Sequence, residues 1–240
     1  MHHGATGQRT PPYGRDTDPP AFSPEEPHEP FAPDASIVKE LVAVTEAEVQ
    51  TPIVHCKAKL HTGERLSLLA IMPANDGPVV QEMFSRCRPR DGSHANPLFE
   101  NKQKLQKRFQ ETFEQPLEQA IADIAGLGDA ATSPIIKSLY HLATWPAFLK
   151  EAASQRDLII ISDLLEYSDV VSHYQPAYKW SDVLKSPWID KLENKLSGVD
   201  VTVHLRTNAR TQPYHRRTHE RFWEAYMQHA RVGHYRVDPF

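Results

Sequence analysis

Apolar residues follow two rhythms along this chain. Continuous runs mark strands buried on both faces, as in a parallel sheet: Leu66-Ser67-Leu68-Leu69-Ala70-Ile71-Met72, ended by Pro73, and Leu158-Ile159-Ile160-Ile161-Ser162, ended by Asp163. Val199-Asp200-Val201-Thr202-Val203-His204-Leu205 reads as a further strand. Val79 to Cys87 alternates, with Val80, Glu82, Phe84 and Arg86 against Val79, Gln81, Met83 and Ser85, which suits a more exposed antiparallel edge strand.

The helical rhythm is clearest after Asn101, where Leu105, Phe109, Phe113, Leu117, Ile121 and Ile124 recur at three or four residues before Gly126 and Gly128. Pro116 lies inside that pattern and predicts a kink or a break. Ser133-Pro134 opens another helix, with a hydroxyl at the cap and proline in the first turn; Ile135, Leu139, Leu142 and Ala143 are its inner face. Helices follow over Trp180–Leu196, broken at Pro187, and over Tyr214–Arg231, which buries Phe222, Trp223 and Tyr226. Near the start, Ser36 caps a helix whose stripe is Ile37, Leu41, Val44 and Val49, kinked or restarted at Pro52.

Strands separated by helices give an α/β fold: a three-layer sandwich with a mainly parallel sheet, helices on both faces and one antiparallel edge strand. Residues 1–35 stand apart. They hold eight of the chain's 20 prolines and almost no aliphatic residues, so they read as an extended or disordered segment before a single domain over 36–240.

Composition narrows the function classes. A net charge of −4 over 240 residues supplies no basic field for nucleic acid or an anionic membrane. No apolar run approaches the roughly 20 residues of a membrane span, and the start lacks a secretory leader's apolar centre. Cys56 and Cys87 make neither a disulfide framework nor a zinc cluster, so a reduced, cytoplasmic setting is expected.

The chemistry-bearing residues converge at the carboxyl edge of such a sheet, where ligands of open α/β folds bind. Asp163 follows the strongest strand, Thr132 and Ser133 bear hydroxyls at a helix start, and Asp16-Thr17-Asp18 is an acidic stretch in the lead-in. Carboxylate plus hydroxyl oxygen suits a hard cation such as Mg²⁺.

Thr132-Ser133-Pro134-Ile135-Ile136-Lys137-Ser138-Leu139, followed by Leu158-Ile159-Ile160-Ile161-Ser162-Asp163-Leu164-Leu165, resembles the second half of a von Willebrand factor A (vWA) domain. Ser-Pro-Ile, Ser-Asp-Leu-Leu, Ser-His-Tyr and Arg-Phe-Trp-Glu-Ala-Tyr are similar, more narrowly, to bacterial vWA-like proteins, over roughly residues 36–231. The resemblance implies a Rossmann-like fold and a metal-ion-dependent adhesion site. In that site an Asp-x-Ser-x-Ser loop after the first strand joins a second-loop hydroxyl, here Ser133, and a third-loop carboxylate, here Asp163. Asp16-Thr17-Asp18 departs from that loop: Pro19-Pro20 follows it, and Thr10–Arg15 before it is no apolar strand. A degenerate or incomplete metal site with Asp163, Ser133, Thr132, Asp16 and Asp18 is therefore the expectation.

A histidine-rich alternative lies near the C-terminal end. His215 and His219, four apart, share a helix face, but Glu220 turns off it and a third ligand, His204 or His173, must come from elsewhere. Arg206, Arg210, Arg216, Arg217 and Arg221 with Tyr214 form a local basic patch, unaccompanied by a recognition helix or stacking platform. No nucleophile elbow, phosphate-cradling loop or Cys/His pair accompanies these residues. The expected function is a non-catalytic module that binds another protein at the sheet edge, through a divalent ion or without one. The alternative is a metal-dependent hydrolase or nuclease in which Asp163, Asp16 or Asp18 holds metal and His215 or His219 moves a proton.

Overall fold

Six strands hydrogen-bond into one sheet in the order β3-β2-β1-β4-β5-β6. They are β1 (Ser36–Leu41), β2 (Arg65–Ile71), β3 (Val80–Cys87), β4 (Arg156–Ser162), β5 (Asp200–Leu205) and β6 (His234–Pro239). The structure is a computed structural model and describes residues 36–41, 46–72, 79–127, 132–149, 155–175 and 178–239. Asp16 and Asp18, with the whole proline-rich stretch over 1–35, lie outside the described residues.

All neighbouring pairs are parallel except β2 with β3, which is antiparallel. The alternating pattern over 79–87 is thus the edge strand it was expected to be. It carries a register irregularity opposite Leu68/Leu69, where Met83 is the extra residue. Leu68 and Leu69 belong to different clusters of the core, as adjacent strand residues do.

The continuous apolar run of β4 is explained by burial on both faces. Leu158 and Ile160 join one buried cluster, with Ile135 and Leu139 of α4 (Ile135–Ala143), Ile189 of α6 (Pro187–Leu192) and Trp223 and Tyr226 of α7 (Arg217–His229). Ile161, with Ile159 beside it, joins the other, with Ile53 of α1 (Glu46–Lys59), Phe109 of α2 (Lys102–Phe109) and Leu117 and Ile121 of α3 (Gln115–Ala125). Val201 and Val203 of β5 face the first cluster. The short α5 (Trp180–Val183) adds Val183 to it.

Pro116 produces neither a break nor a gap. Between α2 and α3 the chain makes one π turn, Gln110–Glu114, and the Gln115 N–H donates to the Gln110 carbonyl, five residues back. Proline cannot donate to the carbonyl four residues before it, and its ring crowds that oxygen. The carbonyl in question, that of Thr112, instead accepts from Arg86 Nη1 of β3 at 2.7 Å. Pro52, expected to kink or restart the first helix, lies inside an uninterrupted α1.

Two strands depart from the sequence reading. Residues 36–41, expected to begin a helix, are a strand paired on both sides, with β2 and with β4. Ile37 and Leu41 fit a helical stripe, but adjacent β-branched Ile37 and Val38 suit a strand and the ladders on either side decide it. Residues 234–239 form β6, where no element was expected; Tyr235 packs on the first cluster while His234, Arg236 and Asp238 alternate with it. The last helix is α7, starting at Arg217, preceded by a 3₁₀ turn at Gln212–Tyr214. Among the described residues no helix is long and apolar enough to cross a membrane.

Candidate functional site

β1 lies between β2 and β4, so the chain's connections diverge on either side of it, and the carboxyl ends of β1 and β4 are the topological switch point. Asp163 stands there as the first residue past β4. The loop that follows β1, residues 42–45, is outside the described residues; in sequence it reads Val42-Ala43-Val44-Thr45.

The turn after Ser162 is built from local hydrogen bonds. Ser162 Oγ accepts from the Leu164 N–H at 2.9 Å, and Asp163 Oδ1 accepts from the Leu165 N–H at 3.0 Å. Leu164 takes φ +53°, a conformation that leucine disfavours, and this aims its carbonyl at α7. Burial raises the Asp163 carboxyl above its usual range, against the lowering effects of the Leu165 N–H and of His215.

Three histidines surround this turn. His215 Nε2 bonds the Asp163 carbonyl at 2.7 Å, and His219 Nε2 bonds the Leu164 carbonyl at 2.8 Å. A carbonyl only accepts, so each of these nitrogens carries a proton and donates it. Trp223 Nε1 donates to the same Leu164 oxygen at 2.8 Å, which fills both lone pairs. His173 Nδ1, 3.2 Å from that oxygen, therefore accepts from the Glu166 N–H, also at 3.2 Å. Its proton then sits on Nε2, a buried atom without a hydrogen-bond partner.

The rings pack edge to face, His173 against His219 at 5.1 Å and His215 against His219 at 5.0 Å, with Phe222 4.6 Å from His173. Burial, reinforced by the neighbouring imidazoles, drives His173 down to about 3. Burial takes His219 down to about 4.

Glu166 is fully buried. Its Oε2 accepts from the Ile136 N–H at 2.9 Å at the start of α4, and Ser168 Oγ donates to Oε1. Burial pushes this carboxyl up to about 8, although Ser168, the first α4 amides and Lys137 all pull the other way.

No family model and no curated protein matches this chain. The site must be read from its own atoms.

Ser133, expected to cap α4, makes no side-chain cap: the cap position is Pro134, and Ser133 Oγ is buried without a partner. The Ser133 backbone instead exchanges two 3.0 Å hydrogen bonds with Tyr167, so the segment after Asp163 is stitched to the start of α4. Ser133 and Asp163 thus belong to two segments that the fold joins. Thr132 lies one residue before that bridge.

As a donor set for a hard cation, the Asp163 carboxylate and the Ser133 hydroxyl are right in kind, and the hydroxyl is unspent. They are two donors, and among the described residues no group of three or more His, Cys, Asp or Glu is placed to hold an ion.

The helix face that His215 and His219 were read as sharing does not hold. His215 precedes α7 rather than sharing its face, and both Nε2 atoms are committed to backbone carbonyls.

At the rim of this edge two tyrosines remain open. Tyr167 is 47% and Tyr174 42% exposed, with ring centroids 5.7 Å apart, and Tyr214 lies 4.7 Å from Tyr174. Burial, Asp163 and Tyr214 together raise the Tyr174 hydroxyl above its usual value. Sequence reasoning assigned no role at this site to Glu166, Trp223 or this tyrosine pair. The run Tyr167 to Lys179 was legible only as a polar, aromatic loop.

A cavity of about 550 Å³ lies on the face of β4, β5 and β6 opposite α7. Asp157, Asp200, His204, Arg236 and Asp238 line it with Lys59. Arg236 pairs with Asp238 at 3.1 Å within it, and His234 bonds Asp200 at 2.7 Å.

Proposed function

We propose that this chain is a non-catalytic protein-interaction module whose partner meets the carboxyl edge of the sheet at Asp163, Tyr167 and Tyr174. The observation that carries this reading is the placement of two half-exposed tyrosines beside a carboxylate at the topological switch point. Tyrosine offers large, stiff contact area with a polar end, the composition that dominates binding energy at protein interfaces. The turn beneath them is fixed by the Leu164 carbonyl and its donors, so little ordering entropy is lost on binding.

The vWA-like three-layer sandwich is part of this proposal. In its favour are the strand order, the single antiparallel edge strand and the buried clusters on both sides of β4. In such an arrangement Asp163 and Ser133 are two donors of an incomplete cation site, which Asp16, Asp18, water or a partner carboxylate would have to complete. Against the hydrolase alternative, the Nε2 atoms of His215 and His219 already donate to carbonyl oxygens, and the remaining His215 Nδ1 is buried.

The test is a pull-down from the native lysate with wild type and Asp163→Lys side by side, together with a phosphodiester turnover assay. A protein retained by wild type and lost with Asp163→Lys supports the module. An identical captured set from both, or turnover that Asp163→Lys abolishes, overturns it.

A further inference from the structure

Leu98 and Phe99 are the most exposed large apolar residues among the described ones, at 82% and 84%, with Val54 next at 62%. They are adjacent and lie in the loop that joins β3 to α2. Because Cys87 at the end of β3 pairs with Arg65 at the start of β2, this loop stands at the amino edge of the sheet, away from Asp163.

The loop is tightly built. The guanidinium of Arg90 forks onto both carboxylate oxygens of Glu100, with Nη2 to Oε2 at 2.9 Å. Glu100 Oε2 also accepts from the Asn96 N–H at 2.6 Å, and Asn96 Oδ1 accepts from the Leu98 N–H at 3.0 Å. The Phe99 and Glu100 amides both donate to the Asn96 carbonyl, at 3.2 and 2.8 Å. At the base, Arg88 holds Asp91 at 3.0 Å and reaches the Leu60 carbonyl at the end of α1. Gly92 has φ +78°, and a Cβ there would come within 2.9 Å of the Lys102 carbonyl. This scaffold holds two apolar side chains in water.

We infer that this tip is a second protein-binding surface, on which Leu98 and Phe99 enter an apolar pocket of a partner whose rim carries carboxylates. The rim chemistry follows from α2. Lys102, Lys104, Lys107 and Arg108 are all exposed on this eight-residue helix, which contains no acid. The acids nearest the tip, Asp91 and Glu100, are already paired with arginines.

A shaped pocket, rather than a bilayer, matches the rigidity. Fluid lipid accepts apolar side chains in any conformation, whereas a pocket rewards a tip that is already ordered.

The experiment places p-benzoylphenylalanine at Phe99 in the full chain and irradiates it in the cells that make it, with the same group at exposed Glu118 as the control. The benzophenone inserts into C–H bonds of protein and lipid alike, so the adduct reports what covers the tip. Expected is a protein adduct, absent at Glu118, whose joined peptide contains Asp or Glu. Combining Lys104→Glu, Lys107→Glu and Arg108→Glu should lower its yield at least about tenfold. Arg90→Ala, which frees the tip without removing it, should lower the yield about threefold to tenfold.

A lipid adduct, no adduct, the same adducts from Glu118, or yields that neither set of changes alters would each overturn the inference. Circular dichroism confirms that each variant is folded. Nothing at the carboxyl edge is altered, so failure here leaves the reading at Asp163 standing, and the reverse also holds.

Discussion

Glu166 caps α4 through an amide thirty residues before it: its Oε2 accepts the Ile136 N–H at 2.9 Å inside the protein. The carboxylate stands where the positive end of α4 and two hydrogen bonds favour its charge, yet burial outweighs them and keeps it protonated to about pH 8.

That balance sets the first prediction. A carboxyl whose folded value is raised from 4.5 to about 8 contributes its full stability below 4.5 and loses it as pH rises from 4.5 to 8. In that window the unfolded chain releases a proton that the native one keeps, for a slope of up to about 1.4 kcal/mol per pH unit. Glu166→Gln keeps an oxygen for the cap and removes the titration. Thermal melts should therefore show its stability gaining on wild type from pH 5 to pH 8, and parallel curves would refute the assignment.

The histidines act in the opposite sense. His173 and His219 fall from 6.5 to about 3 and about 4, so their contribution is present above 6.5 and is lost as pH falls toward those values. Between 4.5 and 6.5 the two imidazoles outweigh the one carboxyl, and above 6.5 the carboxyl acts alone. From these three groups, stability should peak near pH 6.5. His173→Phe together with His219→Gln should flatten the acid limb of the melting curve, and an unchanged limb would contradict the cluster.

Trp223 is 1% exposed and donates to the Leu164 carbonyl at 2.8 Å. Trp223→Phe removes the donor and leaves part of the ring volume empty, at a cost of about 1–3 kcal/mol. Urea unfolding with an unchanged m-value would measure it. The same variant should loosen the turn at Asp163, so hydrogen exchange at the Leu165 amide should quicken.

Arg88 joins the end of α1 to the loop through the Leu60 carbonyl, pairs with Asp91 at 3.0 Å and lies 5.6 Å from the centroid of the Phe109 ring. Arg88→Ala should cost about 2–3 kcal/mol in denaturant unfolding, because a part-buried carbonyl and a carboxylate lose their donor together. Arg86→Ala, at an exposed bond to Thr112, should cost only about 0.5–1 kcal/mol.

Legibility followed the range of the interactions. β4 could be read because burial on both faces leaves a residue-type signature that needs no partner. β3 could be read because an edge strand alternates. β1 could not, since a six-residue segment fits a helical stripe as well as a strand, and only its ladders to β2 and β4 distinguish the two. The cap of α4 was misread for a related reason. Ser133-Pro134 is a sound local signal, but its hydroxyl lost the position to a glutamate delivered by the loop after β4. The exposure of Leu98 and Phe99 was equally invisible, because leucine and phenylalanine carry no mark of whether anything packs on them.

Sequence alone determined the α/β class, the mainly parallel sheet with its antiparallel edge, most helix positions and the placing of Asp163 at a strand's end. All of these follow from hydrophobic periodicity, which is written residue by residue. Tertiary structure alone decided what surrounds Asp163. The atoms that hold the turn are 52, 55 and 59 residues from it in the chain. Hydrogen-bond partners at that separation are chosen by how the sheet and α7 pack, and the same packing commits the Nε2 atoms of His215 and His219 to carbonyls.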